Sequence, residues 1–581
     1  MRKDTIARSK HATWFIVLYA SLIISYMIVA INVESFFELQ SKLDRIQNGI
    51  HSFLHSLFLP SILTLVLRFR KGFILCIVLL FIYLLTIIGN LIYFGYFDAL
   101  ISIQQFSHAQ YLNEIGTQIW SQFVTWKEFV VLICAVISFI ACYKLSFLCR
   151  RLIIFRHSRE SAIFWVFPSA ILLLLAGKLA IMLVRHSPEA IWESNRVQFA
   201  KQFGFVGYYS MDSAKLLKPR QPMPPFPGKI NPAPKKSFEK FDPYVRPNII
   251  ILQVESLDAK ALAVTIDDKP LLSNLNELKS RALYFTHFFA QHRGGSSQDA
   301  ELATLFSILP LNDRSGFPSI RMGETRSLAE VLKDQGYSTA AFHANVGQFF
   351  ARSDLLPKAG FEKFYDARSF SGRASGWDSR DPEFLMQSVD LLKGIPQPFF
   401  GYLITMQSHG PWLNHSVKSK NLGLDSSPPQ AQNYLRCQYE VDLAIGQFLE
   451  RLGEDEHFEN SIIIIFGDHS SRVRYDAHTY PFEDKPPEHV PLFILTPDRR
   501  AETRKTTSSH LDVAPTIAHM IGIEEPGHWL GSSLLDITEG KVILNYPTPI
   551  TIRNKGEGII IEAAGTEAQS FVNWSKILQA P

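Results

Sequence analysis

The sequence predicts an N-terminal five-helix transmembrane bundle joined to an α/β domain with a mostly parallel central sheet. Five apolar runs of roughly membrane-spanning length occupy the first 185 residues, and beyond residue 247 apolar β-branched runs alternate with helical patterns. Two of those runs, NIIILQVES at 248–256 and SIIIIFGDHS at 461–470, show no polar alternation. A strand covered on both faces reads in this way, as in a parallel sheet with helices on either side. At 581 residues the chain exceeds one ordinary domain. Hydrophobic residues make up 47% and mean hydropathy is +0.06, too apolar for a soluble protein of this size, and the excess lies at the N-terminus.

Arg2, Lys3, Arg8 and Lys10 precede the first apolar run, residues 14–33. A signal peptide would have a shorter apolar region followed by a cleavage site, so this run is expected to remain as a membrane helix. Further runs at 50–67, 72–97, 129–147 and 162–184 each approach the ~20 residues that cross a bilayer. The second is the weakest, because it contains His51, His55 and Pro60. Links carrying Arg68, Arg70 and Lys71, and then Lys144, Arg150, Arg151, Arg156 and Arg159, are basic, whereas 34–49 and 98–128 are mixed or acidic. Cytoplasmic loops are the basic ones, so the N-terminus is expected inside and everything after about Arg185 outside. Lys178, in the last run, is expected to snorkel to the interface. Residues 188–217 read as amphipathic helices along the membrane surface, and 218–247 as a proline-rich linker. The expected domains are 1–185 (transmembrane), 186–247 (surface helices and linker), 248–540 (catalytic) and 541–581 (C-terminal extension).

A net charge of +4, with basic residues near apolar segments rather than in one tract, argues against a nucleic-acid partner. Of the 5 cysteines only Cys437 lies in the C-terminal half, so no disulfide framework forms there. The chemistry concentrates at strand ends. In α/β sheets ligands bind at the carboxyl ends of the strands, which is where Glu255, Asp468 and His469 fall. Between the run ALYFTHFFA and the next helix lies QHRGGSSQDAE, residues 291–301. Its glycines permit a tight turn, and the following helix points free N–H groups at whatever Ser296 or Ser297 holds. Those serines read equally as helix caps, since 296–299 fits the [ST]-x-x-[DE] pattern. A serine hydroxyl needs a base or metal to become a nucleophile, and two carboxylates with an imidazole supply mixed O/N ligands suited to Mn²⁺ or Zn²⁺, with Mg²⁺ as a further option.

In combination these motifs resemble the lipoteichoic acid synthase and phosphoglycerol transferase group of the sulfatase-like, alkaline-phosphatase-related superfamily. The resemblance rests on VES at 254–256, the G-x-[ST]-x-D-x-E turn at 295–301, GDH at 467–469, SHGPW at 408–412 and S-x-x-D-x-x-P-T at 509–516. It runs over nearly the whole length, including five spans and the connector NRVQFAKQFGFVGYYSMD. It implies that Ser297, where the family usually has threonine, is the nucleophile and shares a metal with Glu255, Asp468 and His469. Ser296 is its neighbour and the alternative. The C/S-x-P-x-R motif of true sulfatases is not matched by Ser297, Gln298 and Asp299. The stretch HANVGQFFARSD, 343–354, resembles the family's head-group pocket. There Arg352 would meet a phosphate oxygen, its planar fork suiting that geometry, and Phe350 would form the wall where the family often has tryptophan. His343 would join the pocket or the core, His409 would be the head-group or acid-base histidine, and Trp377 a supporting wall. His478 and His510 are expected to be structural.

The resemblance implies a metal-dependent phosphotransferase of the bacterial cytoplasmic (inner) membrane, multi-pass, with an extracytoplasmic or periplasmic catalytic domain. It would move a glycerophosphate head group from phosphatidylglycerol to a glycan or polyglycerophosphate acceptor, with Mn²⁺ the first expectation for the cation. Rival expectations are phosphoethanolamine transfer, phosphodiester or sulfate-ester hydrolysis and, from another class, an inactive membrane scaffold of the same fold.

Overall fold

The computed structural model describes residues 2–34, 42–67, 69, 71–97, 100–103, 126–152, 159–185, 188–194, 196–217, 222–232, 246–293, 297–311, 315–374, 379–410, 412–414, 422, 428–471, 473, 475, 487–545, 549–556 and 558–579. The chain divides into two compact units, Met1–Pro219 and Arg220–Pro581.

The first unit is helical: α1 (Arg2–Glu34), α2 (Lys42–Ser56), α3 (Phe58–Val66), α4 (Gly72–Phe97), α5 (Trp126–Leu152), α6 (Arg159–Arg185), α7 (Pro188–Ser194) and α8 (Arg196–Leu216). Among the described residues 4 stretches are long and apolar enough to cross a membrane, Thr13–Ile31, Gly49–Val66, Gly72–Phe94 and Trp126–Phe147. The fifth expected span is helical as α6, with a shorter described apolar stretch, Val166–Met182. The second is divided between α2 and α3, and Pro60 lies in the first turn of α3, where its missing N–H leaves no helical bond unmade. Polar pairs tie the helices together: Ser21 Oγ lies 2.7 Å from Ser138 Oγ, and Tyr19 Oη 3.0 Å from Ser61 Oγ. Such bonds hold helices where lipid tails provide no hydrophobic drive. The segment read as surface helices instead forms α7 and α8 with their aromatics inside this unit. Trp192, Phe199, Phe203 and Tyr208 are buried with Val29, Ile87 and Leu91 of α1 and α4.

The second unit is built on a nine-stranded sheet. Its elements in chain order are β1 (Asn248–Val254), α9 (Ser273–Leu278), β2 (Leu283–Phe289), α10 (Ser297–Phe306), α11 (Leu328–Asp334), β3 (Ser338–His343), α12 (Arg352–Lys358), β4 (Lys363–Tyr365), α13 (Asp381–Lys393), β5 (Phe399–Ile404), α14 (Pro429–Gly453), β6 (Ser461–Gly467), β7 (His489–Leu495), β8 (Glu502–Arg504), β9 (Ser508–Ser509) and α15 (Val513–Ile521). The strand order is β8-β2-β7-β6-β1-β5-β3-β4, with β9 also on β2. Every pairing is parallel except those of β7 with β2 and β6. The central strands are covered on both faces: Ile249, Ile250, Ile251, Leu252, Ile462, Ile464 and Ile465 are all buried, each side chain contributing about 1.5–3 kcal/mol by leaving water.

The C-terminal residues add a three-stranded antiparallel sheet, β10 (Lys541–Leu544), β11 (Ile550–Lys555) and β12 (Gly558–Ala563), and helix α16 (Thr566–Leu578). Gln579 Nε2 donates to the Leu309 carbonyl at 2.7 Å and Asn545 Nδ2 to that of Pro310 at 2.8 Å, so these residues are stitched into the second unit. Part of the proline-rich stretch is also seated there. The Ile230 N–H donates to Leu530 at 2.9 Å, Asn231 bonds Lys541 in both directions, and Phe226 meets the Trp574 ring edge-on. Proline-rich backbone has no internal hydrogen bonds, so its polar groups find partners on a neighbouring surface.

Candidate active site

The sheet register creates the site. β1 and β6 run parallel with Val254 opposite Gly467, so the next residues, Glu255 and Asp468, leave the sheet side by side. On the other flank Gln253 of β1 and His343 of β3 both align with Ile404 of β5, which brings Thr405 and His343 to the same edge. The edge is braced by backbone bonds. The Ser256 N–H donates to Asp468 Oδ1 at 2.8 Å, the Asp468 N–H to the Val254 carbonyl at 3.1 Å and the Glu255 N–H to Thr405 Oγ1 at 2.9 Å. A Cβ on Gly467 would fall 2.1 Å from the Leu257 carbonyl oxygen, so only glycine allows β6 to end there.

Ser297 reaches this edge from the first position of α10. Its Oγ donates to Glu255 Oε2 at 3.2 Å, while His469 Nε2 stands 3.4 Å from Glu255 Oε1 and 3.7 Å from Asp468 Oδ1. One ligand atom from each of Glu255, Asp468 and His469 lies within 4.8 Å of the others. Asp468 is fully buried and its Oδ2 has no hydrogen-bond partner among the described residues, an arrangement that costs free energy unless a cation answers it. Two carboxylates, an imidazole and a hydroxyl therefore fit a divalent ion with mixed oxygen and nitrogen preference. The charges are strongly coupled. Burial and then the Glu255 charge push the Asp468 carboxyl up to about 7. Burial opposes the His469 imidazolium, but Asp468, Glu255 and Glu488 carry it up to about 10. Burial likewise opposes the Glu255 charge, yet the bond to His469 and the nearby His409 hold this carboxyl well below the ordinary range.

His292 and Glu488 complete the surroundings of His469. The His292 ring stacks on that of His469 at 4.3 Å, its Nδ1 lies 3.3 Å from Glu488 Oε1, and Glu488 Oε2 accepts the Ser470 N–H at 3.1 Å. His510 is a brace, as expected: its Nδ1 accepts the Gln291 N–H at 3.1 Å and its Nε2 meets the Gly467 carbonyl at 3.0 Å. Burial pushes its pKa down to about 3 and keeps it neutral.

The expected head-group residues fall into different situations. Arg352 was expected to fork onto a phosphate, but its Nε and Nη2 are spent on the Glu301 carboxylate, with side chains 2% and 0% exposed. The reason is the fold: Glu301, one turn into α10, faces the start of α12, and a buried guanidinium needs a counter-charge. Phe350 stacks on that guanidinium at 4.9 Å, in a turn where Phe350 and Ala351 have φ of +57° and +53°. Gln298, next to Ser297, donates to the Phe350 carbonyl at 2.8 Å and so holds this turn against α10. His343 is buried; its Nδ1 meets the Ile404 carbonyl at 3.1 Å, and burial and the Arg352 charge push it down to about 3, so the ring is neutral. His409 is half-buried with Nδ1 2.7 Å from the Gly410 carbonyl, near enough to Glu255 and His343 to bias both. Trp377, Ser296 and His478 lie outside the described residues.

The sequence did not single out His292 or Glu488, and it gave Glu301 a place in the G-x-[ST]-x-D-x-E turn but no role. His292 and Glu301 both belong to the QHRGGSSQDAE stretch, and Glu488 directly precedes an apolar strand, but their partners lie far along the chain and only folding supplies them.

A mostly parallel sheet that delivers two carboxylates and an imidazole from strand ends to a helix-borne hydroxyl is the arrangement of the alkaline phosphatase superfamily. Comparison with known sequences narrows this. The lipoteichoic acid synthase N-terminal domain profile matches residues 1–222 and the sulfatase profile residues 247–523. Lipoteichoic acid synthase 2 of Bacillus subtilis is 28% identical over 312 residues, 51% of this chain and 48% of that one. A lipoteichoic acid synthase of Staphylococcus saprophyticus is 22% identical over 496 residues, covering 78% of this chain and 74% of its own. The chain thus spans about half the length of the Bacillus relative. The crystal structure of the lipoteichoic acid synthase LtaP from Listeria monocytogenes shares the fold, with a TM-score of 0.50 and 22% identity over 57% of this chain and 90% of that one. The chain belongs to a lipoteichoic acid synthase-like family within the alkaline phosphatase superfamily.

Proposed function

We propose that this protein is a membrane phosphotransferase that moves a glycerophosphate head group from phosphatidylglycerol to a glycan or polyglycerophosphate acceptor. Its second unit works on the outer side of the membrane. The observation that carries the reading is the convergence of the Ser297 hydroxyl with Glu255, Asp468 and His469, on a chain whose relatives are named lipoteichoic acid synthases.

Glu255, Asp468, His469 and Ser297 would hold a divalent cation, Mn²⁺ before Zn²⁺ or Mg²⁺, which would supply positive charge to a phosphate and favour ionisation of the serine hydroxyl. Ser297 Oγ forms a bond to phosphorus as the phosphorus–oxygen bond to diacylglycerol breaks, and His409 gives the departing oxygen its proton. An acceptor hydroxyl then attacks the seryl phosphoglycerol ester, returning a proton to His409 and freeing Ser297. Arg352, neutralised by Glu301, positions the Phe350 wall of the head-group pocket instead of carrying the phosphate charge, and His343 lines the same edge as a neutral group.

Release of diacylglycerol from head-group-labelled phosphatidylglycerol by the detergent-purified protein tests this reading. Release that needs Mn²⁺ and vanishes in Ser297→Ala supports it. Cleavage of phosphatidylethanolamine in place of phosphatidylglycerol would move the donor to a phosphoethanolamine lipid. Head-group release to water alone would make the protein a hydrolase, and silence without bound metal a scaffold.

A further inference from the structure

The first unit holds a polar cluster that the transfer chemistry does not use. Lys178 on α6 places Nζ 3.0 Å from His55 Nε2 and donates to the Gln202 carbonyl at 3.3 Å, so it turns inward where its position had suggested snorkelling. The same carbonyl lies 2.8 Å from His55 Nε2. It belongs to the turn where α8 breaks at Gly204, φ +71° and ψ 174°, which removes the regular helical pattern there. A Cβ on Gly204 would lie 2.8 Å from His55 Nδ1, so α2 and α8 meet through a residue without a side chain. His51 precedes His55 by one turn on the same face of α2, and its Nδ1 is buried with no hydrogen-bond partner among the described residues.

The cluster has donors and positive charge in excess. An ammonium carries three N–H groups, and the contacts to His55 and Gln202 use two at most. Among the described residues no carboxylate pairs with Lys178. An ammonium among apolar helices is costly until an anion answers it. Lys178 lies about 10 Å along α6 from Arg185, at 1.5 Å per residue. In the topology set by the basic loops that end faces outward, which places Nζ near the boundary of head groups and acyl chains. The anion available at that depth is the phosphate of a lipid.

We propose that Lys178, with His51 and His55, docks the phosphate of an anionic phospholipid in the outer leaflet. This deepens the donor reading above and rests on it only for the choice of phosphatidylglycerol as the lipid. The test uses full-length Ser297→Ala protein in detergent, which carries no nucleophile, titrated with phosphatidylglycerol, phosphatidylcholine or inorganic phosphate while adducts are counted by native mass spectrometry. The expected result is one phosphatidylglycerol favoured over phosphatidylcholine by about fivefold, a preference lost in Lys178→Met and kept in Lys178→Arg. His51→Phe, which leaves the Lys178 and Gln202 contacts in place, weakens the same adduct and decides the matter if Lys178→Met does not fold. An unchanged preference in these variants, equal binding of the two lipids, or full displacement by inorganic phosphate would overturn the dock. Phosphatidylglycerol held selectively by Ser297→Ala but never cleaved by the unmutated protein would sink the donor reading and leave the dock standing.

Discussion

Glu301→Gln tests how the second unit holds the turn that carries Phe350. The Arg352 guanidinium is 2% exposed and meets, through both Nε and Nη2, the Glu301 carboxylate, which is 0% exposed. Removing one partner of such a pair leaves the other buried and uncompensated, at a cost of about 3–5 kcal/mol. At about 2–4 °C per kcal/mol the melting temperature should fall by roughly 6–20 °C. The double variant Glu301→Leu, Arg352→Met removes both charges at similar volume and should recover to within about 1 kcal/mol of the parent. Thermal unfolding of the detergent-solubilised chain, followed by tryptophan emission beside lipid-cleavage rates, separates this from the phosphate-binding role read from the sequence. If Arg352→Met melted normally but lost turnover, while Glu301→Gln changed neither, the guanidinium would be a substrate ligand and the buried-pair argument would be wrong.

Three further outcomes are expected. Ser297→Ala should lower turnover by at least about 10³-fold, the scale seen when a nucleophile is removed, while Mn²⁺ content measured by elemental analysis stays near one per chain, because both carboxylates and His469 remain. Metal binding should release close to one proton or more at neutral pH. Burial opposes the His469 charge but its carboxylate neighbours lift it to about 10, and burial lifts Asp468 to about 7, so both hold protons that the ion must displace. Affinity therefore climbs with pH between pH 6 and 8, by about tenfold per unit for one proton; calorimetry in buffers of different ionisation enthalpy that found no proton release would contradict it. His292→Phe keeps a ring over His469 but loses the Glu488 contact, and should weaken Mn²⁺ binding by about 10–100-fold with little loss of stability. An unchanged dissociation constant would show that His292 only packs.

Much of the architecture was legible because the signals are local. An apolar run without alternation means a strand covered on both faces, and Ile249–Leu252 and Ile462–Ile465 occupy the centre of the sheet, with Ile463 alone half-buried. Glu255 and Asp468 could be placed because a residue that follows a buried strand in a parallel sheet must emerge at the carboxyl edge. The amphipathic reading of 188–217 was local as well, and it misjudged where the aromatic face goes, since α7 and α8 turn theirs into the helical unit. A periodic apolar face says only that something covers it.

Period, length and strand ends are properties of neighbours along the chain, so the strands, the membrane-length helices and the residue types that converge follow from local sequence. Tertiary structure alone decided that Arg352 faces Glu301, that His292 and Glu488 surround His469, and that Lys178 turns to His55 and the Gln202 carbonyl. Each of those partnerships joins residues from different elements. Its energy depends on burial and on the direction of a side chain, and neither exists until the elements have packed.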